Sequence, residues 1–157
     1  MGDLFIILAI LAIAAVGGLV SGGNNDPWYA GLYKPPGTPL PIVFAIVWPV
    51  LYVLMALSAV FVRRKMGGFQ YAPNAFGIFF LQLAFNGAWS VLFFFFHRPV
   101  WALIDIVALW LLIVATIFHF GRISKFSAVL LFPYFVWVSF AIYLNAMIVW
   151  LNFWPIF

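Results

Sequence analysis

The sequence predicts an all-α integral membrane protein, a bundle of five transmembrane helices, and three observations carry that reading. Of its 157 residues, 68% are hydrophobic and 6% are charged, against roughly a quarter charged in a soluble domain. Such a chain cannot give a globule a hydrated surface, so its surface must face lipid. Apolar runs recur along the chain, each close to the roughly 20 residues that a helix needs to cross a bilayer. The charges gather at the ends of those runs, where a membrane interface tolerates them. Five crossings consume most of the chain, leaving one transmembrane domain over 1–157 with short connections.

The first helix is read over about 4–21, closed by the dense stop signal Gly22, Gly23, Asn24, Asn25, Asp26 and Pro27. A cleaved signal peptide fits this run less well, because such peptides begin with a basic segment and the early charge here is Asp3. Residues 22–41 form one long loop, which Pro27, Pro35, Pro36, Pro39 and Pro41 are expected to hold extended rather than helical. A loop of this kind can cover a cavity mouth. The second helix is read over about 42–62, ahead of Arg63, Arg64 and Lys65, and the third over about 74–96, ahead of His97, Arg98 and Pro99. The fourth covers about 100–120, ahead of Gly121, Arg122 and Lys125, and the fifth about 126–152.

Arg63, Arg64, Lys65, Arg122 and Lys125 fall on one side of this arrangement, and Lys34 and Arg98 on the other. Positive loops stay inside, so the N-terminus of this multi-pass chain is expected inside and the long loop and C-terminus outside. The net charge of +4 is therefore a topology signal and not a nucleic-acid surface. The chain has no cysteine, which removes disulfides, thiolate catalysis, iron–sulfur clusters and cysteine-ligated zinc.

Polar groups in hydrocarbon need partners, so their angular positions mark the inward faces of the helices. At 100° per residue, Gln82, Asn86, Trp89 and Phe93 form one stripe on the third helix, while Gly77, Ala84 and Ala88 occupy the reverse face. Small residues let a second backbone approach, so Gly77, Ala84 and Ala88 are expected to form a parallel homodimer interface. The alternative is that they seat the third helix against a neighbour in its own bundle. The second helix aligns Phe44, Trp48, Tyr52, Met55 and Ala59, with Pro49 beside Trp48; the fifth aligns Tyr134, Trp137, Ala141, Asn145 and Asn152, with Pro133 at its kink. Trp101, Asp105, Thr116 and His119 fall together on the fourth helix, and Ala14, Gly18 and Gly22 form a close-packing seam on the first. Taken singly, Gln82, Asn86 and Asn145 read as amides that bond neighbouring helices. Taken together, three helices bring Trp or Tyr with an amide to an inward face, a lining suited to a large flat aromatic ligand with polar edges.

Several short motifs recur in order along the chain. They are Trp28, Tyr29, Leu32, Lys34 and Pro35 in the loop, then Phe44, Trp48, Leu51, Tyr52 and Met55. Gln82, Leu83, Ala84, Asn86, Trp89, Phe93 and Phe94 follow, then Ala102, Leu103 and Asp105. Pro133, Tyr134, Trp137, Phe140, Ala141, Leu144 and Asn145 complete the pattern. By these residues the chain resembles the translocator protein family, also called tryptophan-rich sensory proteins or peripheral-type benzodiazepine receptors, in its bacterial form. The loop departs from the family in carrying Gly37 and Ile42 at Trp-like positions and in splitting a proline pair into Pro39 and Pro41. After Tyr143 no basic residue follows, so the cholesterol segment of animal members has no counterpart.

The resemblance implies a five-helix homodimer that binds porphyrins, haem-related tetrapyrroles and other hydrophobic aromatic molecules inside the bundle, with no cofactor required and no metal. The ligand-binding set is Trp28, Phe44, Trp48, Tyr52, Gln82, Asn86, Trp89, Phe93, Tyr134, Trp137, Ala141 and Asn145. Lys34 and Arg98 lie on the mouth side, where ligand carboxylates would be met. The leading expectation is a receptor or sensor. The alternatives are a tetrapyrrole transporter, a light-dependent porphyrin-degrading protein using Trp48 and Trp137, and a scaffold without ligand. The residues themselves offer no nucleophile and base pair, metal-ligand cluster or phosphate-cradling loop, so an enzymatic activity rests on the resemblance alone.

Overall fold

A computed structural model of the chain describes residues 1–21 and 26–154. Five of its helices are long and apolar enough to cross a membrane. They are α1 (Gly2–Val20), α3 (Pro41–Met66), α4 (Pro73–Ser90, continued by a π-helical turn Val91–Phe95), α5 (Pro99–Ile123) and α6 (Lys125–Phe153). In lipid no water satisfies a free peptide group, so helices that bond internally are the stable form for these runs.

The ends of the helices follow from local chemistry. Pro41, Pro73 and Pro99 each sit in a first turn, where the missing N–H costs nothing and φ is already helical. α3 outruns its expected end at residue 62 and carries Arg63, Arg64 and Lys65 in its last turn, because cations there complement the helix dipole. Gly67 then terminates it at φ 84°, donating its N–H to the carbonyls of Arg63 and Arg64 at 2.9 and 3.3 Å. Between α5 and α6, Ser124 caps the new helix by accepting the Ser127 N–H at 3.3 Å.

The long loop is not extended throughout. Pro27–Ala30 form a one-turn helix, α2, whose cap is Asp26, accepting the Trp28 N–H at 2.9 Å. Asp followed by Pro is a start signal, and it outweighs the turn-breaking reading of the proline. Gly22 of the proposed first-helix seam lies outside the described residues.

The five long helices close a ring in the order α1, α3, α6, α5, α4 and back to α1. Its two ends differ. Where α1 begins and α3 ends, Ile6, Val62, Phe76, Phe120 and Leu131 are buried in one apolar core. Asp3 ties this end together, accepting from Arg63 Nε at 2.6 Å and Arg64 Nε at 2.8 Å. On the α1–α4 seam a Cβ at Gly87 would stand 3.0 Å from Ile13, so the two helices approach closely across Gly87. Gly77, Ala84 and Ala88 are all exposed on the outer face of α4 and seat it against no helix of its own bundle. The fourth-helix stripe is split as well. Asp105 and Thr116 are buried, but Trp101 is 61% exposed and belongs to the outer surface. Trp prefers the membrane–water interface, and residue 101 stands in the first turn of α5, near that boundary.

A hollow end lined by aromatic rings

Toward the loop end the helices separate around a cavity of about 920 Å³. α3 contributes Phe44, Trp48, Tyr52 and, one turn deeper, Ala56; α4 and its π-turn contribute Trp89, Ser90, Phe93 and Phe94. The wider π-turn brings the neighbours Phe93 and Phe94 to the same wall. α6 supplies Ala141, Leu144, Asn145 and Ile148, a face with the spacing of a helix. α1 supplies Ile10, Ala14, Gly17 and Gly18, so the small residues there widen a cavity and do not close a seam. No heavy atom lies within 4 Å of a Cβ built on Gly18. The loop crosses the mouth with Tyr29, Ala30, Lys34, Thr38, Pro39 and Leu40. α5 lines none of it.

The rings are held in fixed relation to one another. Trp48 stacks on Tyr52 with centroids 5.7 Å apart, and Trp89 stacks on Phe93 at 5.4 Å. Trp89 Nε1 donates to Asn145 Oδ1 at 3.1 Å, and Asn145 Nδ2 donates to the Pro99 carbonyl at 2.9 Å. One amide thus fixes a cavity indole and fastens α6 to the start of α5.

Of the residues read from the sequence as ligand-binding, Phe44, Trp48, Tyr52, Trp89, Phe93, Ala141 and Asn145 stand in the lining. The other five do not. Gln82, Asn86 and Tyr134 are 1%, 2% and 1% exposed and form a chain of hydrogen bonds behind the wall. Tyr52 Oη donates to Asn86 Oδ1 at 3.0 Å, Asn86 Nδ2 to Tyr134 Oη at 2.9 Å, and Tyr134 Oη to Gln82 Oε1 at 3.0 Å. These groups are buried where a partner helix satisfies them, and the Tyr52 hydroxyl links that chain to the cavity. Trp28 packs on the outer side of Phe93, with centroids 5.6 Å apart, and stacks on His97 at 4.4 Å. Trp137 meets Phe44 edge-on at 5.6 Å and faces a small apolar groove between α3 and α6 on the lipid side. Its buried Nε1 has no hydrogen-bond partner among the described residues. Arg98 caps α5 outside the lining, leaving Lys34 at the mouth.

The loop is fastened at several points. Tyr33 N donates to Asn152 Oδ1 at 2.8 Å while Asn152 Nδ2 donates to the Tyr33 carbonyl at 2.9 Å. Asp26 Oδ2 lies 3.4 Å from His97 Nε2, and Thr38 Oγ1 donates to the Pro35 carbonyl at 2.7 Å. Burial pushes the Tyr29 hydroxyl above its ordinary pKa, so this loop ring remains a neutral phenol.

The α1 contribution escapes a reading based on polar stripes, because that helix brings only aliphatic and small residues to the cavity. Leu144 and Ile148 were accessible, since they complete the Ala141 and Asn145 face at helical spacing. Phe94 depends on the π-turn, which no residue type announces.

Residues 5–151 match the family model described as the TspO/MBR family. The tryptophan-rich protein TspO of Archaeoglobus fulgidus is 38% identical over 146 residues, covering 93% of this chain and 94% of that protein. The protein of the same name from Chlorobaculum tepidum is 36% identical, covering 90% of each. The translocator protein of Sus scrofa is 36% identical, covering 85% and 82%, and the tryptophan-rich sensory protein of Cereibacter sphaeroides 35%, covering 88% and 87%. With five apolar membrane-length helices and a match across nearly its whole length, this multi-pass integral membrane protein belongs to the TspO/MBR family.

Proposed function

We propose that the protein is a membrane receptor or sensor that binds porphyrins and related tetrapyrroles, or similarly flat hydrophobic aromatic molecules, in the cavity between α1, α3, α4 and α6. The observation that carries this reading is the lining. A space of about 920 Å³ is walled by Trp48, Trp89, Phe44, Phe93 and Phe94, with Tyr52 and Asn145 as separated polar points. That volume falls near the top of the range of roughly 300–1,000 Å³ for small-molecule sites, and the mix of many rings with few polar groups is their usual chemistry. The name of the Cereibacter sphaeroides relative, a tryptophan-rich sensory protein, supports the sensor role.

The test is a titration of purified protein with protoporphyrin IX, followed by quenching of Trp fluorescence. Saturable quenching is expected, with affinity reduced at least about tenfold in Trp48→Ala, the loss of one aromatic stacking partner. Trp137→Ala should weaken binding less, because Trp137 stands behind Phe44. An isotherm that Trp48→Ala leaves unchanged removes the ligand from this cavity.

We further infer that two copies pair in parallel through the outer face of α4 and that the Arg63 end faces the cytoplasm. Exposed Gly77, Ala84 and Ala88 support the pairing, and the cations Arg63, Arg64, Lys65, Arg122 and Lys125 at one end support the orientation.

A further inference from the structure

The cavity has a side opening as well as a mouth. Ile10, Ala14 and Gly17 face it from α1, and Phe44, Trp48 and Tyr52 face it from α3. One step further round each helix, Ile7, Leu11 and Gly18 on α1 and Ala45, Pro49 and Val53 on α3 border it too. The α1 edge points away from α4, because Gly17 takes the α4 side, a Cβ there standing 3.5 Å from Ser90 Oγ. The α3 edge points away from α6, because Val47 and Leu51 take the α6 side. α1 and α3 are neighbours in the ring, so the two edges are the rims of one slot.

The slot faces lipid. Leu11 and Val53 are 57% and 58% exposed although both line the cavity. On each helix the rim continues into the outer surface, through exposed Leu8 and Leu19 on α1 and exposed Ile46 and Leu57 on α3. Asp3 and Arg63 close the gap at the dense end, 2.6 Å apart. Leu11 and Val53 fall midway along Gly2–Val20 and Pro41–Met66, so the slot reaches the depth where a bilayer presents acyl chains and not headgroups.

A wall of rings and aliphatic groups gives water few hydrogen-bond partners, and a void forfeits the dispersion contacts of its lining. Hydrocarbon from the adjoining leaflet meets neither cost. We propose that an acyl chain of a bilayer lipid passes between α1 and α3 and occupies the cavity, its headgroup staying at the membrane surface. The chain crosses from the slot toward Leu144 and Ile148 on α6, which form part of the far wall. This goes beyond the proposed aromatic ligand, which would then bind by exchange with a lipid chain.

The probe is a phosphatidylcholine with a diazirine midway along one acyl chain, reconstituted with the protein in vesicles and illuminated. Peptide mass spectrometry should find adducts at Leu144 and Ile148, 6% and 2% exposed, beside those at lipid-facing Val129 and Phe132 on the same helix. Leu11→Trp with Val53→Trp narrows the slot and should remove most inner adducts while the outer ones persist, which also reports that the variant is folded in the membrane. Leu11→Ala with Val53→Ala widens the slot and should keep them. Absence of inner adducts in native protein overturns the inference without any variant. Inner adducts undiminished in the Trp pair overturn it by showing another path, and their loss from both pairs alike overturns it by showing collapse of the cavity instead of closure of the slot. Porphyrin titration of the same preparation reads the ligand proposal separately, so either reading can fail without the other.

Discussion

The Tyr134 hydroxyl accepts from Asn86 and donates to Gln82 on a side chain that is 1% exposed, so its removal strands two amides at once. Tyr134→Phe should therefore destabilise the protein by about 0.6–1.7 kcal/mol, the average-to-maximum span for hydrogen bonds between membrane helices. Equilibrium unfolding in detergent micelles measures this, and porphyrin affinity should stay unchanged because Tyr134 does not reach the cavity. Gly18 gives the opposite pattern. Its Cβ direction is empty and Gly18 lines the cavity, so Gly18→Leu extends into that volume, and ligand affinity should drop about tenfold or more with unfolding little altered. The pair also shows what residue-level reading of the sequence can reach. Helical periodicity correctly turned Gln82, Asn86 and Tyr134 inward, yet a wheel gives direction and not depth. It cannot separate an inward polar group that ends on a neighbouring helix from one that ends in a cavity. Gly18 fails for a related reason, since a glycine in a helix reads the same whether it admits a backbone or leaves a hole.

Among the elements, the loop that crosses the cavity mouth is tied to α6 through Asn152. Asn152 bonds both the N–H and the carbonyl of Tyr33, and a side chain that pairs with one residue in both directions fixes position and orientation together. Asn152→Ala should release this part of the loop. Amide exchange over residues 29–40 is expected to quicken, and bound porphyrin to dissociate roughly tenfold faster in stopped-flow exchange with excess empty protein, because affinity changes within one site appear mainly in the off-rate. If exchange over the loop is unaltered in Asn152→Ala, the clamp is not what holds the lid. Most element boundaries were legible, since Pro41, Pro73 and Pro99 mark helix starts and lipid leaves helices as the form that satisfies each backbone. The exceptions have physical causes. α2 hid behind a proline that looked like a breaker but stands in the first turn after an Asp cap, and the Val91–Phe95 π-turn arises from packing rather than composition. α3 ran past its expected end because long basic side chains can stay helical while their charged ends reach the interface.

At the scale of the whole molecule, the bundle is dense at one end and hollow at the other, and the same helix, α4, serves both the cavity and the outer surface. Its inner face is committed to Trp89, Ser90 and Phe93 at the cavity and to Gln82 and Asn86 in the core. Its outer face exposes Gly77, Leu81, Ala84 and Ala88, with no atom within 4 Å of a Cβ at Gly77. Against lipid alone, small residues forfeit the dispersion contacts that a larger side chain would make, whereas a second helix can approach closely over them. The intramolecular explanation is removed by Gly87, which makes the close approach to Ile13 within the bundle and lies on a different face from the stripe. Two copies related by a twofold axis along the membrane normal would set stripe against stripe, an isologous contact that closes on itself. Replacing Ala84 and Ala88 together by Leu adds bulk across that contact without adding polarity, and it leaves the inner face of α4 intact. The double variant should lose the cross-linked dimer that native protein gives in membranes while binding porphyrin with native affinity. Native-level cross-linking in the double variant would falsify pairing through α4, and a parallel loss of porphyrin binding would show that the cavity depends on the partner rather than on the single chain.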